Sequence, residues 1–219
     1  MKEIEAKFLD IDISKIRKKI KLSGGIKIHK MMLYRRYVFN LLNKQNGYIR
    51  IREENEKVKM TVKTYSDDSK FADEYEIEIS STLEDAKKFL LILGYKLKHY
   101  HETLREKWSL GQCYEVAIDI IPGIPPYLEL ECKNEKAIQK VANILELNIN
   151  DAVYEAYWKR YVEYYGVDKD DINIIIPSLT FSRIDKELKN YVKFNYDNLK
   201  KEKKLQLEFI KKNKIHIAQ

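Results

Sequence analysis

The first eight residues, MKEIEAKF, put Glu3, Glu5 and Lys7 at every second position, with apolar Ile4, Ala6 and Phe8 between them. Successive side chains of a strand point to opposite faces, so the pattern predicts a strand with one charged and one apolar face. The same alternation runs through MLYRRYVFN (32–40), GYIRIREE (47–54), EKVKMTVKTY (56–65) and ADEYEIEIS (72–80). NKQNG and Asn55 in EENEK mark tight connections, so these segments read as an antiparallel meander. Further strands fall in KHYHETLREKWSL, YEVAIDII and YLELECK, the last two separated by the rigid turn PGIPP.

Helical spacing replaces alternation elsewhere. ISKIRKKIKLSG (13–24) repeats Ile13, Ile16 and Ile20 before a Ser-Gly-Gly stop, and TLEDAKKFLLILG (82–94) has Ser81 or Thr82 as N-cap and Gly94 as its end. EKAIQKVANILEL (135–147) and DAVYEAYWKRYVEYYG (151–166) are also predicted helices. In the second, Tyr154, Tyr157, Trp158, Tyr161, Tyr164 and Tyr165 form an aromatic stripe suited to packing on the sheet. Several strands, a helix, more strands and then helices predict an α+β fold around one large, mainly antiparallel sheet. Within residues 182–219, Ile184, Leu188, Tyr191, Val192 and Leu199 keep helical spacing in a Lys-rich background. The chain therefore divides into a sheet domain over 1–181 and a basic helical extension over 182–219.

Composition narrows the class. A chain of 219 residues with 44% hydrophobic residues can bury a substantial core. No apolar run approaches the roughly 18 residues of a membrane span, and the charged first strand argues against a secretory signal. Cys113 and Cys132 show no metal-ligand pattern and no disulfide framework, which predicts two packing residues in a reducing, cytoplasmic setting. The net charge of +7 suggests a nucleic-acid partner until it is located. Residues 182–219 hold 11 Lys and Arg against 5 Asp and Glu, so nearly all the excess lies in the extension.

The charged strand faces carry the chemistry. Arg50 and Arg52 alternate with isoleucines; Lys59, Thr61 and Lys63 with Val58, Met60 and Val62; Arg105 and Lys107 with Leu104 and Trp108. Glu74, Glu76 and Glu78 share a face, as do Glu115 and Asp119, and Glu129, Glu131 and Lys133 repeat the opening E-x-E-x-K. One reading is the solvent face of an open sheet. The other is a sheet closed into a barrel, which would gather these groups around one cavity. Its carboxylates would suit hard divalent cations and its Arg and Lys would suit phosphate oxygens. His99 and His101 alternate on one strand but lack a third ligand at zinc-site spacing.

With RRYVF, YIRIR, MTVK, EYEIEI, LGYKLKHYHETLREKW, AIDIIPGIPPYLELE and YYGVD in this order, and E-x-E-x-K at Glu3, Glu5 and Lys7, residues 1–181 resemble the CYTH, or triphosphate tunnel metalloenzyme, superfamily. Within it they resemble the class IV adenylate cyclase-like branch. The resemblance implies a closed eight-stranded antiparallel barrel binding a triphosphate and Mg²⁺ or Mn²⁺. It implies metal ligands at Glu3, Glu5, Asp119, Glu129 and Glu131, and phosphate contacts at Lys7, Arg50, Arg52, Lys63 and Arg105. Glu76 or Glu78 would orient a base or a water, and Lys159 or Arg160 would add a base from the last helix. Glu5, Lys7 and Glu131 are the expected catalytic residues. Two departures stand out: Thr103 occupies a position where many members have lysine, and Asn40 one where an acid is common.

Three functions follow as expectations. Hydrolysis of inorganic or organic triphosphate needs only the ionic cage and is favoured. A class IV adenylate cyclase, making cyclic AMP and pyrophosphate from ATP, needs a nucleoside pocket as well. A non-catalytic module for triphosphates or 5′-triphosphorylated RNA would use the basic extension. The partner expected is a triphosphate-bearing small molecule, with no membrane, with room for a homodimer, and with nucleic acid open through the extension but not favoured.

Overall fold

The structure, a computed structural model, describes residues 4–42, 46–55, 57–65, 73–156 and 158–217. Glu3, Tyr157 and Ala72 of the ADEYEIEIS strand reading lie outside these residues. The strands are β1 (Glu5–Phe8), β2 (Ile26–Asn40), β3 (Gly47–Glu54), β4 (Lys57–Thr64), β5 (Asp73–Ile79), β6 (Leu97–Leu110), β7 (Cys113–Ile120), β8 (Tyr127–Cys132) and a two-residue β9 (Ser178–Leu179). The helices are α1 (Ile13–Leu22), α2 (Leu83–Ile92), α3 (Glu135–Ile144), α4 (Trp158–Tyr165), α5 (Ile184–Glu187) and α6 (Tyr196–Lys212).

Eight strands form one antiparallel sheet in the order β1-β8-β7-β6-β2-β3-β4-β5, and β9 adds a short parallel pairing to β6. The expected closure is not present: among the described residues β1 and β5 are the two ends of the sheet and do not pair with each other. β1 pairs with β8 along one edge (Glu5 opposite Glu131, Lys7 opposite Glu129), and on its other edge Lys7 pairs with Val153. The sheet is a curled half-barrel.

Curling separates the two faces chemically. The convex face of β1, β6, β7 and β8 is apolar (Ala6, Leu104, Val116, Ile118, Leu128, Leu130) and is covered by Ile16 and Ile20 of α1 and Ile138 and Val141 of α3. At the other end Phe39, Ile49, Ile51 and Val58 pack under Leu83, Ala86 and Leu90 of α2. Each covering helix starts on a capping side chain: Asp12 accepts from Ser14 and Lys15 amides, Thr82 from that of Asp85, Asn134 from that of Ala137.

The predicted helix over 151–166 is shorter. Residues 149–151 make one 3₁₀ turn, and Val153 then pairs with Lys7 through two backbone hydrogen bonds of 2.8 and 2.9 Å. The helix begins only at Trp158, and Tyr161 and Tyr165 of its aromatic stripe are buried. The Tyr161 hydroxyl donates to Pro122 O at 2.7 Å, and Tyr165 to Gly123 O, clamping the PGIPP turn.

From the other side, Gln206 of α6 accepts from Gly123 N at 2.8 Å and donates to Ile121 O and Ile124 O. Gly123 has φ 73°, and a Cβ there would meet a Leu199 methyl at 2.4 Å, so the turn requires glycine. Leu199 and Ile210 of α6 are buried in the same cores as the sheet and α4.

One further expectation is corrected. Cys113 and Cys132 are not separate packing residues: they stand opposite one another in register on β7 and β8 and form a disulfide. The pairing depends on strand register, which the spacing of two cysteines does not reveal.

Candidate active site

The concave face encloses a cavity of about 680 Å³ whose lining includes nine Lys and Arg side chains and six glutamates. The excess of bases, and the enclosure of both signs, marks an anion site with a place for a cation.

On one side β3 and β4 present Arg50, Arg52, Lys59 and Lys63, braced by glutamates of β5. Arg50 lies 3.2 Å from Glu74, Lys63 2.8 Å from Glu74, and Lys59 3.0 Å from Glu76. Thr61 donates to Glu76 at 3.0 Å, so Glu76 orients three bases at once: Arg50, Arg52 and Lys59. At the end of β3, Glu54 pairs with Arg52 (3.1 Å) and Lys59 (2.6 Å). Burial alone would raise the Glu54 carboxyl, but Arg52, Lys59 and Lys107 outweigh it and hold the group at about 2.

On the opposite side, register aligns carboxylates across three strands: Glu5 of β1 faces Glu131 of β8, which faces Glu115 of β7. Lys7 reaches Glu5 (2.6 Å) and Glu129 (3.3 Å). Burial disfavours its charge, yet these two carboxylates raise its pKa and keep it an ammonium. Arg105 gives Nε to Asp119 at 2.7 Å, Nη1 to Glu115 at 2.5 Å and Nη2 to Glu129 at 2.8 Å. Expected as a phosphate contact, Arg105 is thus engaged by three carboxylates, and Lys107 by Glu115 at 2.5 Å. Glu131 differs from its neighbours: no Lys or Arg lies within salt-bridge distance of it among the described residues, and it accepts from the Tyr114 hydroxyl. Burial, together with Glu115, Glu129 and Glu5, pushes its pKa up to about 7.

Of the sequence-derived candidates, Glu5, Lys7, Arg50, Arg52, Lys63, Glu76, Arg105, Glu129 and Glu131 line this cavity, and Asp119 lies buried beneath Arg105. Lys159 and Arg160 are not among its lining residues. Lys159 pairs with Glu155 at 2.7 Å, and the buried Arg160 with Glu155 and Glu163. Asn40 is exposed. Glu78 shares the face of Glu74 and Glu76 but lies outside the cavity lining and pairs with Lys57.

Sequence reading passed over Arg36. It lies opposite Arg52 on β3 and His101 on β6, lines the cavity, and donates to Thr103 Oγ1 at 2.6 Å. No carboxylate lies within salt-bridge distance of it among the described residues, and its Nε is buried without a partner. Burial, then Arg50, Arg52 and Arg105, lowers its pKa to about 10. Thr103 thus serves as the perch for an arginine from the adjacent strand.

This architecture is shared by solved structures, and residues 1–153 match the model of the CYTH domain. The chain belongs to the CYTH domain family. PH1012 from Pyrococcus horikoshii OT3 is 23% identical, with a TM-score of 0.60 over 72% of this chain and 98% of that one. A conserved hypothetical protein from Pyrococcus furiosus is 20% identical, with a TM-score of 0.60 over 72% and 99%. A candidate adenylate cyclase from Vibrio parahaemolyticus is 16% identical, with a TM-score of 0.61 over 73% and 97%. At these identities the likeness is one of fold. No curated protein matches the chain in sequence. CYTH assignment covers every cavity residue on the sheet, while α4 and the residues after it lie beyond the match.

Among the described residues no three Asp, Glu, His or Cys side chains converge as a ready metal cage. The donor chemistry nevertheless fits a small hard cation. Such ions commonly take one or two protein carboxylates and complete their shell with phosphate oxygens and water. Glu131, lacking a basic partner and crowded by other carboxylates, is the group whose charge such an ion would balance, and Glu5 stands opposite it.

Proposed function

We propose that this CYTH cavity binds a triphosphate with Mg²⁺ or Mn²⁺ and hydrolyses it. One observation supports the reading: a wall of arginine and lysine faces a wall of carboxylates whose member Glu131 has no Lys or Arg partner among the described residues. A triphosphate brings about four negative charges, and stabilising these as they shift is most of what phosphoryl-transfer catalysis requires.

Arg50, Arg52 and Lys63 bind the phosphate oxygens, held in place by Glu74 and Glu76. Glu5 and Glu131 would hold the cation, which when bound would lower the pKa of an attacking water and screen phosphate charge. Arg105 fixes Asp119, Glu115 and Glu129 behind them, acting as a positioning residue. Water oxygen bonds to the terminal phosphorus as the bridging P–O bond breaks, giving orthophosphate and the shorter chain. Lys7, kept protonated by Glu5 and Glu129, places its positive charge beside the oxygen that leaves. Glu3, outside the described residues, remains a proposed further ligand.

Phosphorus NMR of products tests this. With Mg²⁺, tripolyphosphate should yield orthophosphate and pyrophosphate. A cyclic-phosphate signal with pyrophosphate from ATP would replace the hydrolase reading by a cyclase.

A further inference from the structure

The cavity is not uniform. Its acids lie on β1, β8 and β7 at one end of the sheet and on β5 at the other, whereas β2 and the start of β6, between them, contribute bases. There Arg36, Lys98 and His99 line the wall with no carboxylate partner among the described residues. His99 is 6% exposed and sits beside Val38 in the β2–β6 pairing, and its Nδ1 has no hydrogen-bond partner. Arg36 uses one nitrogen on Thr103 and leaves Nε unmatched. Burial lowers the Lys98 ammonium, and burial with Lys98 and Arg36 pushes His99 down to about 3.

A buried donor left without an acceptor is costly, as at Arg36 Nε, and Arg36 and Lys98 both act on the neutral His99 ring beside them. A structural cluster of this composition would have recruited a carboxylate, as Arg105 and Lys7 have done. A ligand bearing negative charge and several acceptor oxygens would satisfy all three groups together.

We infer that Arg36, Lys98 and His99 form a phosphate subsite distinct from the metal-suited wall, able to hold one phosphoryl group beyond the three gripped at the centre. The inference rests on the reading of the cavity as a triphosphate site. A volume of about 680 Å³ falls within the roughly 300–1,000 Å³ of pockets that enclose drug-sized ligands, leaving room for a fourth group. That group is either the end of a longer linear polyphosphate or a free orthophosphate beside a bound triphosphate.

Calorimetric titration without added metal, where turnover is suppressed, distinguishes the two sources. Tripolyphosphate and tetrapolyphosphate are titrated separately, and orthophosphate is titrated into tripolyphosphate-loaded protein. The subsite predicts either tetrapolyphosphate binding about tenfold tighter than tripolyphosphate, or one equivalent of orthophosphate taken up by the loaded protein. Lys98→Met and His99→Phe should each erase that gain while changing tripolyphosphate affinity by less than about threefold. Lys98 is only half-buried, so its variant probes charge with little risk to folding. Neither gain in the wild type, or a gain that survives both variants, would overturn the subsite while leaving tripolyphosphate binding intact. Failure of tripolyphosphate to bind would instead overturn the underlying cavity reading and the subsite with it.

Discussion

Arg105 and Glu106 are consecutive residues of β6, and each anchors a buried ionic cluster on its own face of the sheet. On the convex face, Glu106 takes Arg17 through both carboxylate oxygens at 3.0 Å, Trp108 Nε1 at 2.8 Å and Lys27 at 3.4 Å. That cluster is complete: each donor aimed at Glu106 meets an acceptor. On the concave face, Arg105 is equally well engaged, but among the described residues the network around it ends in mismatches, with no base paired to Glu131 and no acid paired to Arg36. Structural ion pairs close on themselves. A network that leaves a surplus of each sign at separate places in one cavity is arranged for something that arrives.

Substitutions on the two faces should therefore separate binding from stability. The largest effect expected is on turnover: Arg52→Gln should lower tripolyphosphate hydrolysis by roughly 10²-fold, the usual loss for one preorganised donor. Its melting temperature should fall less than that of Glu106→Gln, because Lys59 still pairs with both Glu54 and Glu76, as steady-state rates and thermal unfolding would show. Glu106→Gln should do the reverse. Removing one partner of a buried pair costs about 3–5 kcal/mol, here through stranded Arg17, while tripolyphosphate affinity changes less than about twofold. Denaturant unfolding together with calorimetry checks both halves, and an affinity loss matching Arg52→Gln would erase the distinction between the faces.

Glu54 supplies a pH test. Its folded-state pKa is held at about 2, below the ordinary carboxylate value of roughly 4.3. The folded state thus binds this proton less readily than the unfolded chain. Its stabilisation is fully present above the ordinary value and is lost as pH falls toward 2. Glu54→Gln should flatten that part of the stability profile, measured by urea unfolding from pH 6 to 2.5. An unchanged slope would show that Arg52 and Lys59 do not hold the carboxylate. The smallest effect expected is that of Asp12→Ala, which removes the N-cap of the helix carrying Arg17. It should cost about 1 kcal/mol of stability and leave affinity unaltered.

Much of this arrangement is legible in the sequence. Alternation located β3, β4 and the inward side of β8 because β3–β4 and β1–β8 pair in unbroken register: Arg50, Arg52, Lys63, Glu129 and Glu131 all line the cavity. Arg36 was not legible. It follows Arg35, which pairs outward with Glu53, and deciding which of two adjacent arginines turns inward requires a strand phase. β2 scrambles that phase with register shifts between Lys27 and His29, His29 and Met32, and Val38 and Phe39. Lys159 and Arg160 were placed by extending helical spacing back to residue 151. The extended segment around Val153, tied to Lys7, delays the helix and turns both bases toward Glu155. Sheet closure could not be read either, because alternation reports which face a residue occupies and not whether two end strands meet.

Binding of tripolyphosphate, measured by calorimetry with and without Mg²⁺ on wild type and Glu131→Gln, tests the central claim most directly. The account predicts that Mg²⁺ strengthens binding to the wild type, and that Glu131→Gln loses most of this enhancement while still binding the metal-free anion. Absence of any tripolyphosphate binding to the wild type, or an enhancement by Mg²⁺ undiminished in Glu131→Gln, would contradict it.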